Sequence, residues 1–465
     1  MLKLSVPETM RQPNSADELI DCALAMADIH SAAAVFELAS GTRQQALQRI
    51  LCSQRRHMLK LARWEHTPAA VLKMLADIDD KAVRLRIDKN PGTQADTLNN
   101  LYQAQRQDPQ LHELLVQHQH CPASVLTNIA AATDSIDMLS LVAAHDHADA
   151  DMLLSLEQRF PGQFDTELAT HPATPAELLQ RLFMRGNVYL RAAVLAHESC
   201  PEALLEIAAE ETDGIVLRHL AANPRTQTTT LEMLADHAEV SVRRSVAANA
   251  STPKALLGKL IKDPADAVRR AVAAREDLSS AQRQQLITDP DNWVRQWLAH
   301  NPSIEVPELG QLAVDEESEV RRAVARNSKT PVSLLETLAA DSNSWVRAAV
   351  AYQVNSSADL LLMLARERDV DVLSGVANNP NSPQSLLKKL SLSTQPDIRR
   401  GVILNANAER DTLLPLLEDP YYLHRLLLVS NSKLTDADKW RLHDDPDAAV
   451  RFSAFRWFSR KFLQS

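Results

Sequence analysis

Apolar residues recur along most of the chain in two short clusters separated by a polar turn, and the pair of clusters repeats every 26 residues. The segments that begin at Asn249 and Asn327, NASTPKALLGKLIKDPADAVRRAVAA and NSKTPVSLLETLAADSNSWVRAAVAY, lie 78 residues apart, or three periods. The frame runs from His145 to Asn431 in eleven steps without an insertion. A fixed period of this length indicates a tandem array of small supersecondary units.

Each unit has the pattern of two helices joined by an acidic turn. Leu257 and Leu260 fall on one face of the first helix, and Val268 and Val272 on one face of the second. The Thr-Pro or Ser-Pro pair near the start of several units predicts a hydroxyl N-cap followed by proline at the first helical position. Asparagine at most unit boundaries predicts a left-handed helix C-cap. One such hairpin cannot bury its own apolar face, so the units must stack into an all-α solenoid of about fifteen repeats.

The regularity of the period suggests three segments. Residues 1–63 are expected to form a divergent helical N-terminal cap, and residues 64–434 the repeat array, irregular around 103–144. Residues 435–465 are expected to form a C-terminal repeat with a cap rich in aromatic and basic side chains. A terminal unit must close the core of the array, and phenylalanines at helical spacing near residue 460 suit that role.

The recurring run N-P-x-T-P-x-x-L-L-x-x-L-A-x-D-x-x-x-x-V-R-x-x-V-A, between residues 64 and 451, resembles the leucine-rich repeat variant family, a HEAT-like group. The resemblance implies a right-handed superhelix of alternating α and 3-10 helices, so the first helix of each unit is expected to be short or 3-10. One architecture in that family carries an iron–sulfur cluster on N-terminal cysteines. Only Cys22 and Cys52 lie in that region, and we expect no cofactor.

Composition supports helices and limits the function classes. Aromatic residues make up 4 % of the chain and glycine occurs nine times, which disfavours strand-rich folds. The formal charge of −10 disfavours a surface built wholly for nucleic acid but leaves room for a local basic patch. The four cysteines are far apart, and no secretory or membrane-spanning apolar run is present, so a cytoplasmic location is expected.

The arginine of the recurrent Val-Arg pair predicts a structural clamp. Several of these arginines have an aspartate six residues earlier, as Arg269 has Asp263, and a bidentate arginine–carboxylate pair would brace the turn between the helices. A second arginine follows the first in several units without an obvious partner. These residues are candidates for a basic stripe or for a mixed, solvated face.

Exposed aromatic residues are the main candidates for partner binding. One occurs at the same repeat position, near the start of the second helix, in three units, and tryptophan with arginine is the usual composition of interface anchors. Packing over the seam between units is the alternative interpretation. The candidate partner-binding residues, including two from the C-terminal cap, are Trp293, Trp345, Tyr189, Arg244, Arg270, Arg322, Arg456 and Trp457.

Histidines at consecutive unit boundaries are the candidates for a metal site. Imidazole and thiolate side chains in this spacing are able to bind zinc, although histidine can also replace the boundary asparagine, and the spacing matches no closed four-ligand pattern. The candidate ligands are His118, His120, Cys121, His145 and His147.

No catalytic motif is present: the sequence has no glycine-rich phosphate loop, GxSxG, HExxH or CxxC. We therefore expect a non-catalytic scaffold or adaptor that binds a protein partner on an extended surface. The alternative is a nucleic-acid-binding helical-repeat protein related to HEAT-like DNA glycosylases.

Overall fold

The computed structural model describes residues 11–464, which are helical with connecting turns and contain no strand. The protein is an all-α helical-repeat protein of the solenoid class, as the period predicts. The chain forms two compact units. Unit 1 comprises Met1–Gln163 with Glu409–Ser465, and unit 2 comprises Phe164–Ala408.

Unit 1 contains the helices from both ends of the chain. They are α1 (Ala16–Met26), α2 (Ile29–Val35), α3 (Gly41–Leu51), α4 (Arg55–Arg63), α5 (Ala69–Ala76), α6 (Lys81–Asp88), α7 (Ala95–Ala104), α8 (Pro109–Gln117), α9 (Ala123–Ala132), α10 (Ile136–Ala143), α11 (Ala150–Arg159), α31 (Arg410–Leu413), α32 (Tyr422–Val429), α33 (Asp436–Trp440) and α34 (Ala448–Gln464). Two 3-10 helices, Phe36–Leu38 and Leu414–Glu418, complete the unit.

Unit 2 contains the most regular repeats. Its helices are α12 (Asp165–Thr170), α13 (Ala176–Arg185), α14 (Val188–Ala196), α15 (Glu202–Ala208), α16 (Gly214–Ala222), α17 (Thr228–Leu234), α18 (Val240–Ala248), α19 (Lys254–Leu260), α20 (Asp266–Ala273), α21 (Ser280–Ile287), α22 (Asn292–His300), α23 (Val306–Leu312), α24 (Ser318–Arg326), α25 (Val332–Leu338), α26 (Ser344–Tyr352), α27 (Ala358–Leu364), α28 (Val370–Asn378), α29 (Gln384–Leu390) and α30 (Pro396–Leu404). Odd-numbered helices are the first of each pair and even-numbered helices the second.

The first helix of a regular repeat is a short α-helix. Helix α19, for example, has seven residues, and in the described chain only the pair that begins at α31 continues its first helix as a 3-10 helix. Pro253 occupies the N-cap of α19, so the predicted hydroxyl cap is wrong. The buried Thr252 hydroxyl instead donates to the carbonyl oxygen of Val246, which also accepts from the backbone N–H of the C-cap residue Asn249.

The boundary asparagines form a ladder between repeats. The predicted left-handed cap is wrong, because Asn249 has an extended backbone, with φ of −68° and ψ of 123°. Its side-chain Nδ2 donates to the carbonyl oxygens of Ala221 at 2.7 Å and Asn223 at 2.8 Å, both in the preceding repeat. Its Oδ1 accepts from the backbone N–H of Ser251. The side chain thus satisfies open backbone groups of successive repeats, which explains why a side-chain hydrogen-bond donor recurs there.

Second helices approach one another closely. A Cβ atom at Gly375 of α28 would lie 2.7 Å from the Cβ of Ala351 on α26, and one at Gly401 of α30 would lie 2.8 Å from the Cβ of Ala377. The small residues that the repeat places on these helices therefore set the spacing. Trp297 occupies the equivalent repeat position on α22, and its ring is half exposed.

The arginine clamp joins neighbouring repeats, and the predicted partner needs correction. Arg269 donates to the carboxylate of Asp289 in the next repeat, with Nε and Oδ2 2.7 Å apart. Toward Asp263, six residues earlier, Arg269 donates only to the backbone carbonyl oxygen, at 2.8 Å. The same bidentate pairing recurs in unit 2 for Arg243–Asp263, Arg295–Asp315, Arg321–Asp341 and Arg347–Glu367.

The two ends of the chain pack against each other within unit 1. Helix α34 contacts α1, α2 and the 3-10 helix Phe36–Leu38, and Phe455 and Phe458 are buried in the same core as the N-terminal helices. Arg456 Nη1 lies 2.9 Å from a carboxylate oxygen of Glu37, and the rings of Phe452 and Trp64 meet edge to face at 4.6 Å. The terminal aromatic residues do close a core, and the N-terminal helices are what cover it.

Among residues 11–464, no helix has the combination of length and apolar composition needed to cross a bilayer.

Candidate partner-binding surface

Aromatic and arginine side chains share the exposed face of three consecutive second helices, α22, α24 and α26. Trp293 and Trp297 lie one turn apart on α22, and Trp345 and Tyr352 lie two turns apart on α26. Residues at these spacings lie on the same side of a helix. Each of the four rings is 50 to 56 % exposed. We name this the aromatic–arginine surface, and it consists of Trp293, Trp297, Arg322, Arg326, Trp345 and Tyr352.

Arg322 lies at the centre of this surface. Its guanidinium carbon is 5.1 Å from the centre of the Trp345 ring, which is cation–π distance. Its Nε is buried without a hydrogen-bond partner among the described residues. No carboxylate of the described chain lies within ion-pair distance of Arg322 or Arg326. Arg322 is therefore packed on an aromatic ring, and neither arginine of α24 has an acid within ion-pair distance.

Titration of neighbouring groups reflects these charges. The pKa of His300, at the end of α22, is lowered by burial and by the nearby Arg326 and Arg322. Burial and Arg322 also lower the pKa of Arg326. On the other side, burial together with Asp371 and Asp397 raises the pKa of Tyr352. Arg400 on α30 offsets part of the effect of the two aspartates on Tyr352.

The neighbouring Arg270 is neutralised by comparison. Its guanidinium lies 6.0 Å from the Trp293 ring centre, but it also pairs with Asp266 on its own helix and with Asp291 in the next repeat. The expected stripe of second arginines is therefore not uniformly basic.

A comparison with protein families places the repeat unit. Residues 319–343, from α24 to the turn before α26, match the leucine-rich repeat variant family. This unit is a leucine-rich variant repeat. The leucine-rich variant pattern predicted from the sequence is confirmed for this repeat, and the aromatic–arginine surface includes its second-helix residues on α24.

Three solved structures are similar to the chain. One is a leucine-rich repeat variant described as having a novel repetitive structural motif, with 26 % identity over 53 % of this chain and 87 % of that chain and a TM-score of 0.32. An engineered protein is 13 % identical over 98 % of both chains, with a TM-score of 0.15. A structure of the Pds5–Scc1 complex is 13 % identical over 99 % of this chain and 76 % of that chain, with a TM-score of 0.20. No curated protein sequence matches the chain.

The other predicted partner-binding residues lie elsewhere in the chain. Tyr189 is exposed on α14 and Arg244 is exposed on α18, so neither contributes to the surface on α22 to α26. Arg456 and Trp457 line a groove of about 900 Å³ in unit 1. There Arg456 pairs with Glu37, and the Nζ of Lys439 lies 3.4 Å from the centre of the Trp457 ring.

Two of the predicted metal ligands, His118 and His145, instead make the hydrogen bonds that the boundary asparagines make in other repeats. His118 Nε2 lies 2.9 Å from the carbonyl oxygen of Asn90, and its Nδ1 accepts from the backbone N–H of His120. His145 repeats both contacts one unit later, with His118 O and the N–H of His147. Burial raises the pKa of Cys121 to about 12, which disfavours a thiolate. Histidine therefore substitutes for asparagine as a rung of the ladder. In the part of the chain that the structure describes, no group of three or more potential ligands is placed to hold a metal.

Sequence reasoning missed half of the aromatic–arginine surface. Trp297, Tyr352 and Arg326 were not identified as binding residues, although their spacing of four or seven residues from named candidates was a usable signal. Trp297 occupies a position at which most repeats carry alanine or glycine, and its ring is half exposed.

Proposed function

We propose that this protein is a non-catalytic scaffold that binds a protein partner through the aromatic–arginine surface. The observation that carries the proposal is that α22, α24 and α26 expose four half-buried aromatic rings and two arginines that lack a carboxylate partner, with Arg322 packed on Trp345. Tryptophan, tyrosine and arginine are the residues that most often dominate binding energy at protein interfaces. A surface of this kind is costly to leave in water unless a partner covers it.

The charges specify the chemistry of the partner. Arg322 and Arg326 would bind carboxylates, and the neighbouring aromatic rings would bind apolar side chains. The bound segment therefore carries acidic and apolar residues. A nucleic acid fits less well, because Arg270 is neutralised by two aspartates and two further aspartates raise the pKa of Tyr352. An acidic, partly apolar peptide segment or domain face is the occupant that this surface favours.

Affinity capture from the source cell extract tests the proposal, with nuclease present. The variants are W293A/W345A and R322A, and Y189A is the control because it removes an even more exposed aromatic ring from α14. A discrete protein that is retained by the wild type and by Y189A, and lost from both surface variants, supports the proposal. Its affinity should fall by at least about 2 kcal/mol in W345A. Equal retention by all variants would refute the assignment of this surface.

A further inference from the structure

Unit 1 carries a second exposed surface that differs in chemistry from the first. Five basic side chains lie together on α4 and α6, which pack side by side. These side chains line two adjoining clefts, of about 580 and 460 Å³, and Arg63 and Arg86 line both of them. We name this the α4–α6 basic surface, and it consists of Arg56, Lys60, Arg63, Arg86 and Lys89, all exposed.

None of these five cations has a carboxylate within ion-pair distance among residues 11–464. Neighbouring basic residues on the same helices do have partners, since Arg55 pairs with Asp80 and Lys81 with Asp108. Glu65 is the one acid that lines the first cleft, and its closest basic contact is His66 at 3.8 Å. Four cations against one carboxylate leave this cleft strongly positive.

The acid nearest to the centre of the surface does not offset these charges. Asp88, between Arg86 and Lys89 in sequence, has a side chain that is fully buried and makes no hydrogen bond in the described structure. Burial, with a smaller effect of Asp108, raises its pKa to about 8, so it is mostly neutral at pH 7.

Apolar anchors are missing from this part of the described chain. Between residues 11 and 135 no large hydrophobic side chain is exposed, and the first one along the chain is Ile136. Leu59 and Leu85, which line the clefts, are only partly exposed. A protein hot spot or a membrane-inserting surface requires exposed apolar groups, so attraction here is almost wholly electrostatic.

The spacing of the cations fits a chain of phosphates. Arg56, Lys60 and Arg63 lie on one face of α4 over about 10 Å of helix axis, at 1.5 Å per residue. One strand of a duplex carries a phosphate about every 3.4 Å along its axis, so this row covers about three phosphates. Arg86 and Lys89 form a second row on the adjacent helix.

We propose that the α4–α6 basic surface binds the phosphate backbone of a nucleic acid without reading its base sequence. The clefts receive the backbone, and arginine is the side chain best suited to phosphate oxygens. This binding is independent of the aromatic–arginine surface, which lies in unit 2.

The test measures fluorescence anisotropy of a labelled 24-nucleotide RNA and of a 24-base-pair DNA duplex with the full-length protein between 50 and 300 mM NaCl. The test variant is R56Q/R63Q/R86Q. The control is K329Q/K388Q/K389Q, which removes three exposed lysines of unit 2 that have no carboxylate partner in the described chain, and so changes the net charge equally. Circular dichroism of both variants verifies folding.

We expect affinity to fall steeply with salt, with a slope of log K against log[NaCl] of about −4.5 for five duplex phosphate contacts. The test variant should reduce the slope by about 3 and weaken duplex binding at 100 mM NaCl on the order of 100-fold. The control should match the wild type. Equal losses in both variants would overturn the proposal, and so would binding of poly-glutamate or of anionic vesicles in place of nucleic acid. A failure of this test leaves the capture results at the aromatic–arginine surface unaffected.

Discussion

Arg321 donates two parallel hydrogen bonds to the carboxylate of Asp341 in the following repeat, from Nε to Oδ2 at 2.6 Å and from Nη2 to Oδ1 at 2.9 Å. Its Nη1 also donates to the carbonyl oxygen of Asp315 at 2.8 Å. One side chain thus joins the turns of two repeats. The clamp lowers the pKa of Asp341, so its stabilising contribution is present above the ordinary carboxyl range and is lost as pH falls through the lowered value.

Breaking this clamp on one side should be costly. We expect R321Q to lower the free energy of local unfolding by about 2–3 kcal/mol, because the nearly buried Asp341 carboxylate loses its charged donor. Hydrogen exchange of the α24 and α26 amides measures the loss. R244Q is the matched control, since Arg244 is exposed and has no ion pair in the described chain. Replacing both partners with apolar residues should cost less than the sum of the single changes. An R321Q exchange profile like that of R244Q would contradict the clamp.

The hydrogen bonds of the boundary asparagines predict that N327A and N327H differ in their free energy of unfolding. Asn327 donates to the carbonyl oxygens of Ala299 and Asn301, so N327A leaves both without this donor at a cost of about 2 kcal/mol. N327H should recover part of that stability at neutral pH, because His118 and His145 fill the equivalent place. Urea denaturation at pH 7.5 compares the variants. Equal stability of N327A and the wild type would show that the side-chain hydrogen bonds of Asn327 do not stabilise the fold.

The raised pKa of Asp88 predicts that the stability of the wild type relative to D88N depends on pH. In the folded protein its carboxyl keeps a proton up to a pKa of about 8, whereas the unfolded chain releases it near 3.8. The folded state therefore binds more protons within that range, and its stability falls as pH rises through it. D88N removes this titration. The stability of D88N relative to the wild type should increase from pH 4 to pH 8 and stay constant above. Denaturation curves of both proteins at each pH provide the measurement, and a pH-independent difference would show that Asp88 titrates normally.

The contact between the chain ends can be tested by charge exchange. E37R or R456E alone places like charges in contact and should destabilise the packing of α34 by about 1–2 kcal/mol. The double variant E37R/R456E restores an ion pair and should recover most of that loss. R460E is the control, because Arg460 is exposed on the same helix and has no carboxylate partner in the described structure. Protection of α2 and α34 in hydrogen exchange is the readout, and additive losses in the double variant would argue against a direct pair.

Local pattern was enough to predict the repeat but not the contacts between repeats. The 26-residue period, the helix pairs and the arginine clamp all rest on residues close together in sequence. The clamp's carboxylate was assigned to Asp263 for Arg269 instead of Asp289, because the frame does not show which turn stacks above which. The α4–α6 basic surface joins α4 of the N-terminal segment to α6 of the first repeat. Lys60 and Arg86 are 26 residues apart, as are Arg63 and Lys89, but this signal went unused because α4 was assigned to the divergent cap.

The packing of α34 on the N-terminal helices makes the two ends of this chain complementary to each other. Complementary ends on one polypeptide meet at a high effective concentration, so closure within a molecule is favoured in dilute solution. The same two faces on different copies are equally complementary, and a molecule that opens at this junction is able to exchange ends with a neighbour. Refolding at high protein concentration should therefore produce end-exchanged oligomers, whereas refolding in dilute solution should return monomers.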